Sequence, residues 1–358
     1  MTLKALSLKN FRNISNTTLE FHPRFNIFVG SNAQGKTNIL EAIYFLAFGR
    51  SFRLSDYTGL IQWGQKEGSV RSWLSGPLGE EERSVHLTEE KKRVQKNGKN
   101  VPPNQFNSMP TVLFAPEEIL LLKDSPQARR DYMDGLLSKL SPTYGGHLRN
   151  FKRALAQRNR LLKEESLSND AKLKQMILWE VPLIEHGRPL ITERKQWGDK
   201  LNKMLSKHYS LISGDNKTAH FSYTPNVEEE LFPKEQERRR EEELERGVSL
   251  VGPHRDDFLA HLDLKIIRSY GSQGEMRTFT LALKLSEIEL FEEGLKRSPF
   301  LLLDDVVSEL DEKRCRFLFE YLKNFKGQVF ATSTSLALFP PLKGGDFKGW
   351  EVKNGFTF

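Results

Sequence analysis

Three short segments carry residue types that could act together on a phosphate ester. The first is Gly30-Ser31-Asn32-Ala33-Gln34-Gly35-Lys36-Thr37, followed by Asn38. Glycines at both ends and small residues between them let successive backbone N–H groups turn inward around a phosphate. Lys36 supplies a point charge for β and γ phosphates, and the Thr37 hydroxyl a ligand for magnesium. A chance match in a glycine-rich turn is the alternative, and the flanks weigh against it. Phe25-Asn26-Ile27-Phe28-Val29 is nearly all apolar, as a strand covered on both faces must be, and it ends at Gly30. After the loop, Ile39, Leu40, Ile43, Leu46 and Ala47 recur at helical spacing. Strand, loop, helix is the context in which this spacing binds ATP with magnesium.

The second segment is Phe300-Leu301-Leu302-Leu303-Asp304-Asp305, an apolar strand ending in two carboxylates. A buried strand delivers Asp304 to the carboxyl edge of a sheet, where it can hold magnesium beside the phosphates, and leaves Asp305 to face an attacking water. Paired acids after a strand can equally be helix caps. The third segment is Ser272-Gln273-Gly274-Glu275, after Gly271 and ahead of a helical pattern over 276–291. Small residues opening a helix present backbone N–H groups and the positive helix end to an anion, although Ser272 as an ordinary N-cap is the plainer reading.

The elements that must position these residues form an α/β head made from both ends of the chain. Leu6 and Leu8, then Leu19 and Phe21, alternate on either side of Asn10-Phe11-Arg12-Asn13 and predict an antiparallel hairpin-like start. Strand-like sequence also occurs at Val248-Ser249-Leu250-Val251, at 258–262, and at Gln328-Val329-Phe330-Ala331-Thr332, with a helix over 312–324 that Gly327 could end. From 116 to 246 strands become scarce and Leu-rich helical patterns studded with Arg and Lys take over. The expected organisation is a head of residues 1–115 and 247–358, interrupted by a mostly helical lobe of 116–246. No heptad pattern persists long enough for long coiled-coil arms.

With 358 residues, 38% hydrophobic and 28% charged, the chain can bury a large core. A net charge of +7 and a pI near 9.2 favour an anionic partner such as nucleic acid. Lys91-Lys92-Arg93, Arg129-Arg130 and the Arg149 to Arg160 stretch are equally eligible to meet it, whereas the mixed-charge run 235–246 reads as a solvated helix. The one cysteine, Cys315, cannot form an internal disulfide, and it reads as a semi-buried thiol on a helix. His254 and His261, or His208 and His220, lack metal-ligand spacing and read as structural or surface histidines. The N-terminus has no signal-peptide core and no apolar run approaches the ~20 residues of a membrane span, so a cytoplasmic protein without a membrane partner is expected.

Taken together the segments resemble the ATP-binding-cassette type of ATPase head found in SMC-like proteins. Ser272-Gln273-Gly274-Glu275 stands at the signature loop, and Ser308-Glu309-Leu310-Asp311 at the D-loop. More narrowly, the chain is similar to the RecF family of bacterial DNA replication and repair proteins. The segments that carry this likeness are Asn10-Phe11-Arg12-Asn13, 30–38, Gly49-Arg50-Ser51-Phe52-Arg53, Phe114-Ala115-Pro116-Glu117, Arg129-Arg130, Gly252-Pro253-His254-Arg255-Asp256-Asp257, the signature loop and 302–311. They run in order along nearly the whole chain.

The resemblance implies ATP-dependent binding to duplex or gapped DNA by an ATP-induced homodimer. In it the signature residues Ser272, Gln273, Gly274 and Glu275 complete the site of the opposing copy, and Ser308 and Asp311 belong to the D-loop. It implies Lys36, Asp304 and Asp305 as the catalytic set, Thr37 and Asp304 on magnesium, and RecO and RecR as partners that promote RecA loading during recombinational repair and replication restart after DNA damage. A weak, DNA-stimulated ATPase acting as a switch is expected. Transporter ATPases carry Glu where this chain has Asp305 and a His where it has Thr332-Ser333-Thr334, so turnover should be slow. The ATPase subunit of a membrane transporter is the alternative reading. The missing histidine, and the long stretch between Thr37 and Ser272, argue against it.

Overall fold

In a computed structural model, residues 1–76, 79–102, 109–339 and 346–357 are described. They divide into two compact units, Met1–Glu118 with Glu287–Phe358, and Ile119–Ser286.

The first unit is built on two six-stranded sheets. One has the order β2-β1-β4-β5-β6-β7, where β1 is Thr2–Phe11, β2 Ile14–Glu20, β4 Glu67–Gly76, β5 Gly79–Thr88, β6 Lys92–Lys96 and β7 Lys99–Asn100. Its pairings are antiparallel, and Phe11 faces Ile14 across the expected opening turn. The other has the order β15-β14-β3-β13-β12-β8, where β3 is Phe25–Val29, β8 Thr111–Phe114, β12 Phe300–Leu303, β13 Val329–Ser333, β14 Phe347–Lys353 and β15 Phe356–Thr357. Strands β8, β12, β13, β3 and β14 run parallel. Strands β8, β12 and β13 are buried along their whole length, which explains why they read as continuous apolar runs.

Helix α1, Lys36–Phe48, buries ten of its thirteen residues, among them every one from Ile39 to Ala47. A helix that is apolar nearly all round must be enclosed. It shares its core with Leu6, Leu8 and Val70 of one sheet and Phe28, Leu302 and Phe330 of the other. Because parallel strands present their carboxyl ends at one edge, the ends of β3, β13 and β12 lie side by side. Strand β13 therefore brings Thr332 between the loop after β3 and the acids after β12.

The second unit carries helices α2 (Pro126–Leu140), α3 (Pro142–Leu162) and α4 (Asn169–Ser213) and a three-stranded sheet of β9 (Ala219–Thr224), β10 (Asp257–Leu262) and β11 (Lys265–Ile266). Residues 247–286 group with this unit, where the sequence pattern assigns them to the head. The reason is a buried polar core. Arg194 of α4, 2% exposed, donates to Asp134 of α2, to Asp256 and to the carbonyl of Pro253 at 2.6–2.8 Å. Strand β10 also pairs with β9 from Asp257 to Leu262. Helix α4 runs 45 residues with Pro182 and Pro189 inside it, a length no periodicity announces.

Two local expectations fail. Val248-Ser249-Leu250-Val251 forms no strand, because side chains take its N–H groups: Asn159 accepts from Ser249 at 2.8 Å and Glu243 from Leu250 at 2.6 Å. Helix α6, Glu312–Asn324, follows α5, Gln273–Leu295, and ends at Phe325 in extended conformation rather than at Gly327. Gly327 is needed for space: a Cβ there would stand 2.4 Å from the Phe325 ring and 2.5 Å from the Pro299 carbonyl. Among the described residues no helix is long and apolar enough to cross a membrane.

Candidate functional site

The loop between β3 and α1 is gripped from outside and open within. Asn13, in the β1–β2 turn, donates to the Gln34 carbonyl at 3.2 Å and accepts from the Asn38 side chain at 2.7 Å. The β14–β15 turn holds the other flank, where Gly355 N–H donates to the Gln34 carbonyl at 2.9 Å and Asn354 N–H to its side-chain oxygen at 2.7 Å. Gly30 must be glycine because a Cβ would lie 2.3 Å from the Val352 carbonyl, and Gly35 takes φ 111° beside Asn13. Among the described residues, no protein acceptor takes the backbone N–H groups of residues 31 to 37. This row of donors at the N-terminus of α1 suits a chain of phosphates.

Lys36 is 6% exposed and donates to the carbonyls of Gly30 and Ser31 at 2.7 and 2.8 Å. Burial lowers its pKa, while Asp305 and Asp304 oppose that shift. Next to it the Thr37 hydroxyl donates to Asp304 Oδ1 at 2.8 Å. A hydroxyl and a carboxylate in contact at the carboxyl edge form an oxygen donor pair of the kind magnesium takes.

Asp304 and Asp305 are held differently. Asp304 is 5% exposed, and its Oδ1 also accepts from the Thr332 hydroxyl at 2.8 Å. Asp305 lies in the left-handed region at φ 50° and ψ 27°, and donates its N–H to Thr332 Oγ1 at 2.8 Å. Although it precedes a short helix, Val306–Glu309, its side chain makes no cap bond, so the helix-cap reading does not describe it. A non-glycine residue held at positive φ costs about 1–3 kcal/mol, and such strain collects at functional positions. Asp305 lines a cleft of about 1060 Å³ with Lys36, Thr37, Asn38 and Thr332.

Residues the spacing argument does not single out complete that cleft. Arg12 donates to both oxygens of buried Glu41 at 2.7 and 3.0 Å, and Ser51 donates to the same carboxylate. Asn10-Phe11-Arg12-Asn13 and Gly49-Arg50-Ser51-Phe52-Arg53 thus meet at one acid on α1. Trp63, 98% exposed, also lines the cleft, and a lone tryptophan in the polar stretch Gln62-Trp63-Gly64-Gln65 is its only sign in the sequence.

Ser272 and Glu275 form a reciprocal capping box, with Ser272 N–H donating to Glu275 Oε2 at 2.7 Å and Glu275 N–H to Ser272 Oγ at 3.2 Å. Gln273 and Gly274 open α5 within it. The Lys217 ammonium at 2.5 Å and the Ser272 N–H hold the Glu275 pKa down to about 2. Ser272 is therefore the N-cap of α5. In the other segment, Ser308 donates to the Asp305 carbonyl at 2.7 Å, and Asp311 caps α6 by accepting from Arg314 N–H at 2.9 Å. Cys315 is half-buried against the carbonyls of Val307 and Leu310.

Residues 2–340 match the RecF/RecN/SMC N terminal domain family. The DNA replication and repair protein RecF of Geotalea uraniireducens (strain Rf4) is 35% identical over 347 residues, 94% of each chain. Its counterpart in Clostridium tetani (strain Massachusetts / E88) is 33% identical over 99% of each chain. A solved structure of the recombination mediator protein RecF with ATP in the RecFOR pathway matches with a TM-score of 0.89 at 32% identity, over 100% of this chain and 97% of that one. The Smc head domain of Pyrococcus furiosus, at 17% identity and a TM-score of 0.58 over 99% of this chain and 95% of its own, shares the fold. With a family match over nearly its whole length and close agreement in fold, the chain belongs to the RecF family of DNA replication and repair proteins, within the RecF and SMC class of ATPases.

Proposed function

We propose that this chain is an ATP-driven DNA-binding switch. The triphosphate of ATP would lie along the N–H groups of residues 31 to 37 with Lys36 against its β and γ phosphates, and Thr37 and Asp304 would hold magnesium. Asp305 would orient and polarise the attacking water. Two copies would close on the nucleotide, each supplying Ser272, Gln273, Gly274 and Glu275 with the D-loop residues Ser308 and Asp311 to the other's site. The 119–286 unit would then contribute to DNA binding as well as to closure. Hydrolysis, slow because the shorter Asp305 stands in place of Glu, would reopen the pair. On duplex or gapped DNA this cycle would serve RecO and RecR in promoting RecA loading.

The observation that carries this reading is the Thr37–Asp304 contact at 2.8 Å beside an unclaimed row of backbone donors. A gel shift on duplex, gapped and single-stranded DNA with ATP and with ADP tests it, alongside sedimentation with each nucleotide. ATP should tighten binding to duplex or gapped DNA and yield a dimer that ADP does not. DNA binding and self-association indifferent to nucleotide would overturn the reading.

A further inference from the structure

Three basic clusters stand out in the sequence, and the structure separates them. Arg129 is 1% exposed and forks onto Asp257 at 2.7 and 2.8 Å, while Arg130 donates to the Asp256 carbonyl at 2.6 Å. Both are committed to the fold. Lys92 donates to the Gly49 carbonyl at 2.6 Å and lies over the rings of Phe45 and Tyr57, which leaves Lys91 and Arg93 beside Glu89 and Glu90. Only those two cations of the cluster face solvent, and in the sequence they stand next to two acids.

Helix α3 differs. From Pro142 to Leu162 it contains five cations and no acid. Its buried side chains, Tyr144, Phe151, Ala154, Arg158 and Leu162, form one face, and the remaining buried position, Gly145, lies one turn before Arg149 on the other. Arg149, Lys152, Arg153, Arg160 and the C-cap Lys163 are all exposed. At 3.6 residues per turn these five fall within about a third of the helix circumference and follow one another along about 21 Å, the rise of roughly six base pairs of duplex. Among the described residues no carboxylate comes within ion-pair distance of Arg149, Arg153, Arg160 or Lys163, and Lys152 makes only long contacts with Asp131 and Asp134 at 3.8 and 3.9 Å. A row of like charges on one face repels itself at short range, so it is tolerable where an anion of matching length neutralises it.

We propose that the outer face of α3, from Arg149 to Lys163, is a track for the phosphate backbone of duplex DNA. This rests on the proposed DNA-binding function and supplies a surface for it. Cations on such a track displace condensed counterions and read no bases, so the contacts give affinity without sequence preference.

The test uses the full chain with ATP, a short labelled duplex of arbitrary sequence, and fluorescence anisotropy across a range of KCl concentrations. Arg149→Gln/Arg153→Gln/Arg160→Gln should reduce the log–log salt slope by about 0.9 for each phosphate no longer neutralised, roughly 2–3 in all, and raise Kd at low salt at least about tenfold. ATP affinity and melting should match the parent. Arg149→Lys/Arg153→Lys/Arg160→Lys should keep most of the slope, and Arg93→Gln should change nothing. A glutamine variant with the parent's slope and affinity, beside a parent that binds DNA, would overturn the track and leave the DNA-binding function standing. A parent that binds no duplex would overturn both.

Discussion

The Thr332 hydroxyl stands 2.8 Å from Asp304 Oδ1 and 2.8 Å from the backbone nitrogen of Asp305, donating to the first and accepting from the second. One side chain, 1% exposed on the central β13, thus fixes the rotamer of one acid and the strained backbone of the next. Thr332→Val keeps the volume and removes the hydroxyl, leaving a buried carboxylate and a backbone N–H each short of a partner. It should cost about 1–3 kcal/mol of stability and weaken magnesium-dependent nucleotide binding, while Thr332→Ser should restore both. Chemical unfolding and nucleotide titration with and without magnesium would register the change. A valine variant equal to the parent in both would show that Thr332 holds neither acid.

Lys36 is pinned to the carbonyls of Gly30 and Ser31, so its ammonium already sits at the mouth of the donor row. Lys36→Met should leave the fold intact and lower ATP affinity by about 1.5–3 kcal/mol, the worth of a hydrogen bond to a charged group. Calorimetric titration with ATP checks this. Unchanged affinity would remove the loop from the nucleotide site.

His254 gives the second unit a pH dependence. Burial pushes its pKa down to about 4, with Arg255, Arg130 and Arg158 adding to the shift against the bond to the Ser249 carbonyl. Below its ordinary pKa of 6.5 the unfolded chain takes up a proton that the folded one refuses. This contribution is therefore complete above pH 6.5 and falls by about 1.4 kcal/mol per pH unit as the pH drops toward 4. Between pH 7 and 5 the parent should lose about 2 kcal/mol more than His254→Gln in urea unfolding. Equal losses would mean that the imidazole is protonated in the fold.

The fold is legible in the sequence where local pattern and burial agree. Strands β3, β12 and β13 are buried on both faces, so their apolar runs identify them, and the loop spacing is fixed by the backbone turn it must make. Residues 248–251 mislead for the opposite reason, since apolar alternation cannot show that Asn159 and Glu243 will take their N–H groups. Arg129-Arg130 reads as a binding patch because a buried fork onto Asp257, 128 positions away, leaves no local trace. Thr332 stands out in the sequence only as a missing histidine, and its bonds to two neighbouring acids follow from sheet order, which no single segment encodes.

The Ser272–Glu275 capping box and the proposed contact in trans can be told apart. Ser272→Ala removes the hydroxyl that caps α5, at about 1 kcal/mol of stability, together with the one proposed for the opposing nucleotide, so it should weaken ATP-dependent dimerisation without abolishing it. Ser272→Arg should retain ATP binding and abolish dimerisation and hydrolysis, because a large cation would occupy the place of the opposing nucleotide. Sedimentation with ATP reads both. An arginine variant that still dimerises and hydrolyses would reduce the loop to a helix cap.

The central claim is that Asp304 and Asp305 divide the work, one holding magnesium and the other orienting water. Asp305→Asn keeps the shape and removes the charge, a change felt chiefly in the transition state. ATP and magnesium should still bind, hydrolysis should drop about a hundredfold or more, and the ATP-bound dimer should persist. The most direct measurement mixes this variant with duplex DNA and ATP, then follows dissociation after a competitor chase beside single-turnover hydrolysis. A complex that long outlives the parent's, with hydrolysis nearly absent, is the predicted result. Hydrolysis at the parent's rate, or release from DNA as fast as the parent's, would contradict it.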